Sequence, residues 1–246
     1  MKKLWLIPIL LLMVLPCWAE EIQLARMTQG ILGSGGVAAP ANTPIAIVSG
    51  SENAVQANYS TSLGCPLGAS TTAGNQIIVC IVFSGGSAAT ISSVADGHNT
   101  YASVIDVTGA PKIALYKAES IAGGAETVTV TCDAEAGNLS IAAFEVEGAA
   151  TNSYDVGEYA VSGWGTSADS GNGEATSQNN CLLIGLIGHN SAGATNFAAG
   201  ANWTLLDSAN SIYVEHRTVS STGTYDATAS WTGDMNWSCI FAAFKD

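Results

Sequence analysis

The chain has 246 residues, 48% of them hydrophobic and only 11% charged, with 20 acidic against 7 basic side chains and a formal net charge of −13. Such an acidic surface excludes nucleic acid, whose phosphates it would repel, and an anionic membrane face. The cysteines form no CxxC and have no histidine at ligand spacing, which argues against a zinc site.

Residues 1–19 have the form of a secretory signal: Lys2 and Lys3, an apolar core over 4–15, Pro16 as a helix breaker and Ala19 at the cleavage point. Pro16 directly ahead of Cys17 suits a lipoprotein anchor poorly, so simple cleavage after Ala19 is expected. The mature chain then has 227 residues (246 − 19), and five basic side chains (7 − 2) face 20 acidic ones, a net charge near −15. The expected location is secreted or cell-surface, extracellular or periplasmic. No later apolar run is long enough to span a membrane. Residues 20–44 form a Gly- and Ala/Pro-rich flexible leader; the alternative is an arm that pairs with the sheet edge of a neighbouring copy.

Residues 45–246 carry strand signals. After short runs at 45–48 and 55–63, AGNQIIVCIVF (73–83) is a turn followed by an unbroken apolar stretch, the mark of a strand covered on both faces. Further strands are expected at 91–94, 101–107 and 113–117. Residues 127–132 alternate cleanly, with Val128, Val130 and Cys132 on one face and threonines on the other. An apolar strand follows at 139–146. Residues 149–175 are Gly-, Ser-, Asp- and Asn-rich and are expected to form a polar loop.

The second half then repeats the first. Residues 182–187 answer 77–82, residues 203–206 answer 101–104, Ile212 and Val214 answer Ile113 and Leu115, and Phe244 answers Phe144, at offsets near one hundred. The expected fold is all-β: an antiparallel, jelly-roll-like β-sandwich built from half-repeats at about 45–148 and 176–246. The alternative is two tandem immunoglobulin-like domains.

The runs AGNQIIVCIVF, DGHNTY, LYKAES, ETVTVT and NLSIAAFEVEG together resemble a family of secreted bacterial and phage-associated β-sandwich domains. The resemblance covers residues 45–246. It implies a fold and an exterior setting, and no catalytic residues. His98 stands where the pattern often has glycine.

No GxSxG, HExxH, Walker or Rossmann motif occurs. His98 and His189 lie in turn-rich sequence and are expected to be solvated, whereas His216 shares a strand face with Ile212 and Val214. Asp96 and Asn99 flank a glycine ahead of Tyr101; Asx turn chemistry accounts for them, and calcium is the alternative. Asp169, Asn172 and Glu174 invite the same two readings. Cys181 and Cys239 are the first pair to consider for a disulfide, since an exported chain can form one. Trp203, Trp231 and Trp237 fall at strand positions, and at least two of them are expected to pack in the core. Trp164 differs: glycines flank it in polar sequence, so it can offer its face to a sugar or a protein, with Tyr154 and Tyr159 as companions.

The sequence therefore predicts an exported, non-catalytic structural or adhesive β-sandwich protein. Its partners would be copies of itself, other surface proteins or glycans. The alternatives are a carbohydrate-binding module, with or without calcium, and a secreted hydrolase whose carboxylate pair is illegible from sequence.

Overall fold

The computed structural model describes residues 43–84, 88–190 and 195–246, and only the backbone at 160–162. The signal and most of the leader lie outside the described residues. The apolar run that opens the first half forms β3 (Gln76–Ser84), buried along its whole length. Its alternate residues feed two different cores. Ile77, Val79 and Ile81 face one, and Ile78, Cys80 and Val82 the other. A strand with two dry faces has no polar position to spare, which is why the run is unbroken.

The first half comprises β1 (Ala46–Ile47), β2 (Asn53–Pro66), β3, β4 (Ile91–Ala95), β5 (Tyr101–Val107), β6 (Lys112–Ala118) and β7 (Thr127–Glu147). The second half comprises β8 (Tyr154–Asp169), β9 (Cys181–His189), β10 (Thr195–Ala199), β11 (Thr204–Ala209), β12 (Ile212–Val219) and β13 (Thr228–Lys245). Every pairing is antiparallel, and the halves match strand for strand. β7–β3–β6–β5 corresponds to β13–β9–β12–β11, while β2 and β4 flank β7 as β8 and β10 flank β13. No ladder joins the two halves among the described residues. The protein is thus an all-β sandwich of two similar half-repeats.

The long strands fold double. Asn53 and Pro66 begin and end β2, and a straight strand of that length would hold them about 40 Å apart. Yet Asn53 Nδ2 donates to the Pro66 carbonyl at 2.7 Å. The β2–β7 ribbon doubles back at its register shift between Ser60 and Ser62, so each ribbon contributes to two layers. Within the fold, Val128 and Val130 pack with Leu63 and Cys65 against β3. β8–β13 encloses the second core in the same way, around Leu183, Ile187, Trp203, Trp231, Met235 and Phe241.

The halves meet face to face over a third, shared core. Ile113, Leu115, Phe144 and Val146 from the first half meet Leu182, Ile184, Leu186, Ile212 and Phe244 from the second. Each of these side chains contributes about 1.5–3 kcal/mol through burial. β2 lies by β11, β5 by β8 and β3 by β9, the arrangement of a pseudo-twofold axis through the joint.

Two expectations need correction. The stretch 149–175 contains the strand β8, so the second repeat starts at Tyr154 and not near 176. Among the described residues β8 is bonded only to β13, and its Gly157 and Gly163 stand where a Cβ would strike the Phe241 carbonyl and the Trp237 ring. His189 is buried rather than solvated, with its ring stacked on Phe197 at 4.9 Å between centroids.

Candidate functional site

Trp164 is 67% exposed and Tyr159 50% exposed, both on β8. Trp164 lies opposite Asn236 on β13, and Tyr159 opposite Ile240. The neighbours of Asn236, Met235 and Trp237, belong to the second outer core, whereas Ile240 belongs to the shared core. Asn236 and Ile240 therefore point out of the folded ribbon, and so do the two aromatic side chains beside them. The two rings stand exposed on one face of β8, the face that Ile240 turns toward the shared core.

The backbone under Trp164 is held by two other indoles. A Cβ on Gly163 would fall 2.6 Å from Trp237 Nε1, so only glycine lets that ring slide beneath the strand. Gly165 has φ +142°, a conformation that disfavours side chains. Its carbonyl accepts a 3.0 Å hydrogen bond from Trp231 Nε1. Trp231 packs in turn on Phe197 at 5.6 Å. The Gly-Trp-Gly sequence thus reflects two inward tryptophans and one outward one. Register shifts between Ser230 and Met235 and between Trp237 and Cys239 bend the ribbon here.

Tyr154 does not join this patch. It is half-buried, edge-on to Phe244 at 6.1 Å, and lines a cleft with Ser103, Val104, Lys117 and Asn152. A further exposed aromatic, Tyr59, stands at the fold of the β2–β7 ribbon, 76% exposed. Nothing in the sequence singles it out, because Tyr59 sits in a mixed polar run with nothing to mark a bend.

The loop at Asp96 is more elaborate than the sequence suggested. Asp96 Oδ1 accepts the backbone N–H groups of His98 and Asn99, and Oδ2 accepts Asn99 Nδ2 and the Tyr101 hydroxyl. Burial works against the charged carboxylate, but the bonds from Asn99, His98 and Tyr101 prevail and hold its pKa below the ordinary value. His98 Nδ1 lies 3.2 Å from Oε2 of Glu126, a carboxylate whose side chain is 2% exposed. The ligand atoms of Asp96, His98 and Glu126 lie within 4.8 Å of one another. An imidazole with two carboxylates suits zinc better than calcium. Donors already occupy both Asp96 oxygens, and the Asn99 carbonyl accepts the Ala122 N–H at 2.8 Å. As it stands, the cluster closes the loop. The matching loop of the second half has Ala199 and Ala201 there and closes through the Trp203 N–H on the Gly200 carbonyl at 3.0 Å.

Asp169 Oδ1 accepts the Gly171 N–H at 2.8 Å, an Asx turn at the end of β8. Asn172 and Glu174 are exposed beyond it. Cys181 and Cys239 are both free. β13 sets Lys245 opposite Cys181 and Cys239 opposite Ile187. Six residues of strand (245 − 239), about 20 Å, therefore separate the two thiols, far beyond the reach of a disulfide. The expected bridge does not form.

Comparison of the chain with protein-family models, curated proteins and solved structures finds no match. The all-β architecture that the resemblance implied is present, and no family is assigned.

Proposed function

We propose that the chain is an exported, non-catalytic β-sandwich protein that works by adhesion at a cell or particle surface. Its contact surface is the exposed edge of the ribbon along β8, led by Trp164 and Tyr159. One observation carries this reading: a tryptophan 67% exposed on a strand where Trp237 fills the space beneath Gly163 and Trp231 donates a hydrogen bond to the Gly165 carbonyl. A mobile loop aromatic needs no such support. A rigid aromatic face loses little entropy on contact and suits a sugar ring or an apolar protein patch. The net charge of −13 keeps nucleic acid away, and the N-terminal sequence supports export.

The test is binding of the purified mature protein to glycan and surface-protein panels, read by tryptophan fluorescence and repeated with Trp164→Ala. Binding that disappears in the variant supports the reading. Equal binding by a folded Trp164→Ala protein refutes it.

A second reading, self-assembly, is favoured by β2. This 14-residue strand contains no charged residue and, among the described residues, is bonded only to β7, whereas edges are usually blunted by charge. Copies of so acidic a chain repel one another least along such a strand. Molar mass in solution, with and without residues 20–44, tests it. A monomer under all conditions rules it out.

A further inference from the structure

At one end of the joint, β5 and β6 of the first half and the start of β8 from the second enclose a cleft of about 230 Å³. It is lined by Ser103, Val104, Lys117, Asn152 and Tyr154. The Lys117 side chain is only 13% exposed and is paired with Glu119. Glu119 also accepts the backbone N–H of Ser153 at 3.2 Å, so the ion pair ties the second half to the first. Burial works against the charged form of Glu119, but Lys117 and the backbone N–H groups of Asn152 and Ser153 outweigh it and keep the carboxyl ionised. The Tyr154 ring is pinned against Phe244. Burial, then the carboxylates of Glu158 and Asp155, raise its phenol pKa, so the hydroxyl keeps its proton and remains a donor.

We propose that this cleft binds one neutral, hydroxyl-rich ring of the monosaccharide class. The lining supplies what such a ring needs: an aromatic wall in Tyr154, apolar contact at Val104, and polar groups of both kinds. An ammonium has three N–H donors, and Glu119 uses one of those on Lys117. Asn152 both donates and accepts, as do the Ser103 and Tyr154 hydroxyls. Charge selects for neutrality. Lys117 is already paired with Glu119, so neither offers an uncompensated charge to an ionic ligand, and an anion would also meet the carboxylates beside Tyr154. Size selects for one ring, since about 230 Å³ lies below the usual range for larger ligands. The site is concave and built from both halves, and Trp164 is not among its lining residues. Its occupant would also strengthen the joint, because ligand bound only by the folded state stabilises it.

The experiment is amide NMR titration of the full mature protein with D-glucose, D-galactose and N-acetyl-D-glucosamine, with D-glucuronate as the anionic control. At least one neutral sugar should give saturable shifts at residues 103–104, 117 and 152–154. Tyr154→Phe keeps the ring and removes only the hydroxyl. It should weaken binding about three- to tenfold. Lys117→Gln should weaken it similarly, and Trp164→Ala should leave it unchanged. The proposal is overturned if no neutral sugar moves these amides, if glucuronate binds equally well, or if both cleft variants bind as tightly as the parent. Binding lost only in Trp164→Ala would also overturn it, while supporting the exposed edge of β8 as the contact surface.

Discussion

Ser140 on β7 shares a buried 2.8 Å hydrogen bond with Ser211, just ahead of β12 in the other half. The same link recurs with the halves exchanged, where Ser238 Oγ on β13 donates to the Pro111 carbonyl, just ahead of β6, at 2.7 Å. These two polar points pin the register of an otherwise apolar joint. Ser140→Ala and Ser238→Ala should each cost about 1–2 kcal/mol. The double variant should lose roughly the sum, because the two sites share no partner. Urea denaturation checks this, and a wild-type midpoint in both single variants would remove the pinning role.

Gly188 marks how closely the halves approach. An added Cβ would lie 2.5 Å from Ile113 Cγ2 and 2.9 Å from Val82 Cγ1 across the joint. Both neighbours are β-branched and stiff at χ1, so neither can swing aside. Gly188→Ala should destabilise by about 1–3 kcal/mol through overpacking. Thermal unfolding measures it, and an unchanged midpoint would mean that the joint is looser than these contacts indicate.

Glu215 is fully buried in the second half, and burial pushes its pKa up to about 7, though the Gly200 and Thr228 backbone bonds oppose the rise. The folded state therefore binds this proton more tightly than the unfolded chain does. The associated stability is fully present below pH 4.5, the ordinary glutamate value, and is lost as pH rises through about 7. The loss amounts to about 3 kcal/mol. Glu215→Gln should flatten that part of the stability profile and raise stability above pH 7 relative to wild type. Parallel profiles for the two proteins would show that Glu215 ionises freely.

Asp96 works in the opposite direction. Its carboxylate accepts four hydrogen bonds within its loop, and its pKa is lowered. Its contribution is present above the ordinary aspartate value and is lost as pH falls through the folded value. Asp96→Asn should cost about 1–2 kcal/mol at neutral pH, and the difference from wild type should shrink in acid. A difference that stays constant with pH would assign the loss to shape and not to charge.

The five described cysteines, Cys65, Cys80, Cys132, Cys181 and Cys239, are all buried and free. Burial pushes the Cys65 thiol up to about 12 and, with nearby carboxylates, Cys181 to about 11, so neither supplies thiolate at neutral pH. The native protein should be inert to a thiol reagent, and the unfolded mature protein should release five reactive thiols. Fewer than five under non-reducing conditions would reveal a bridge.

What the sequence determined by itself is the part of the fold written in local pattern. The unbroken apolar runs at β3 and β9 announce strands covered on both sides, and the alternation over residues 127–132 announces one covered on a single side. The near-hundred-residue offset between Phe144 and Phe244 exposes the duplication. Trp164 could be singled out because an apolar ring between glycines is anomalous wherever the chain runs. Only the tertiary structure decided the rest. β8 is a strand because β13 supplies its hydrogen bonds from about eighty residues away, and no periodicity in β8 records that partner. The folding of the ribbons, which puts Asn53 on Pro66, is equally non-local. It moves Tyr154 into the joint while Trp164 and Tyr159 stay outside. It also sets Cys181 and Cys239 on neighbouring strands at rungs too far apart to bridge. Side-chain pattern fixes which face of a strand is dry; which strands share a layer, and which residues meet, depends on contacts between segments far apart in the chain.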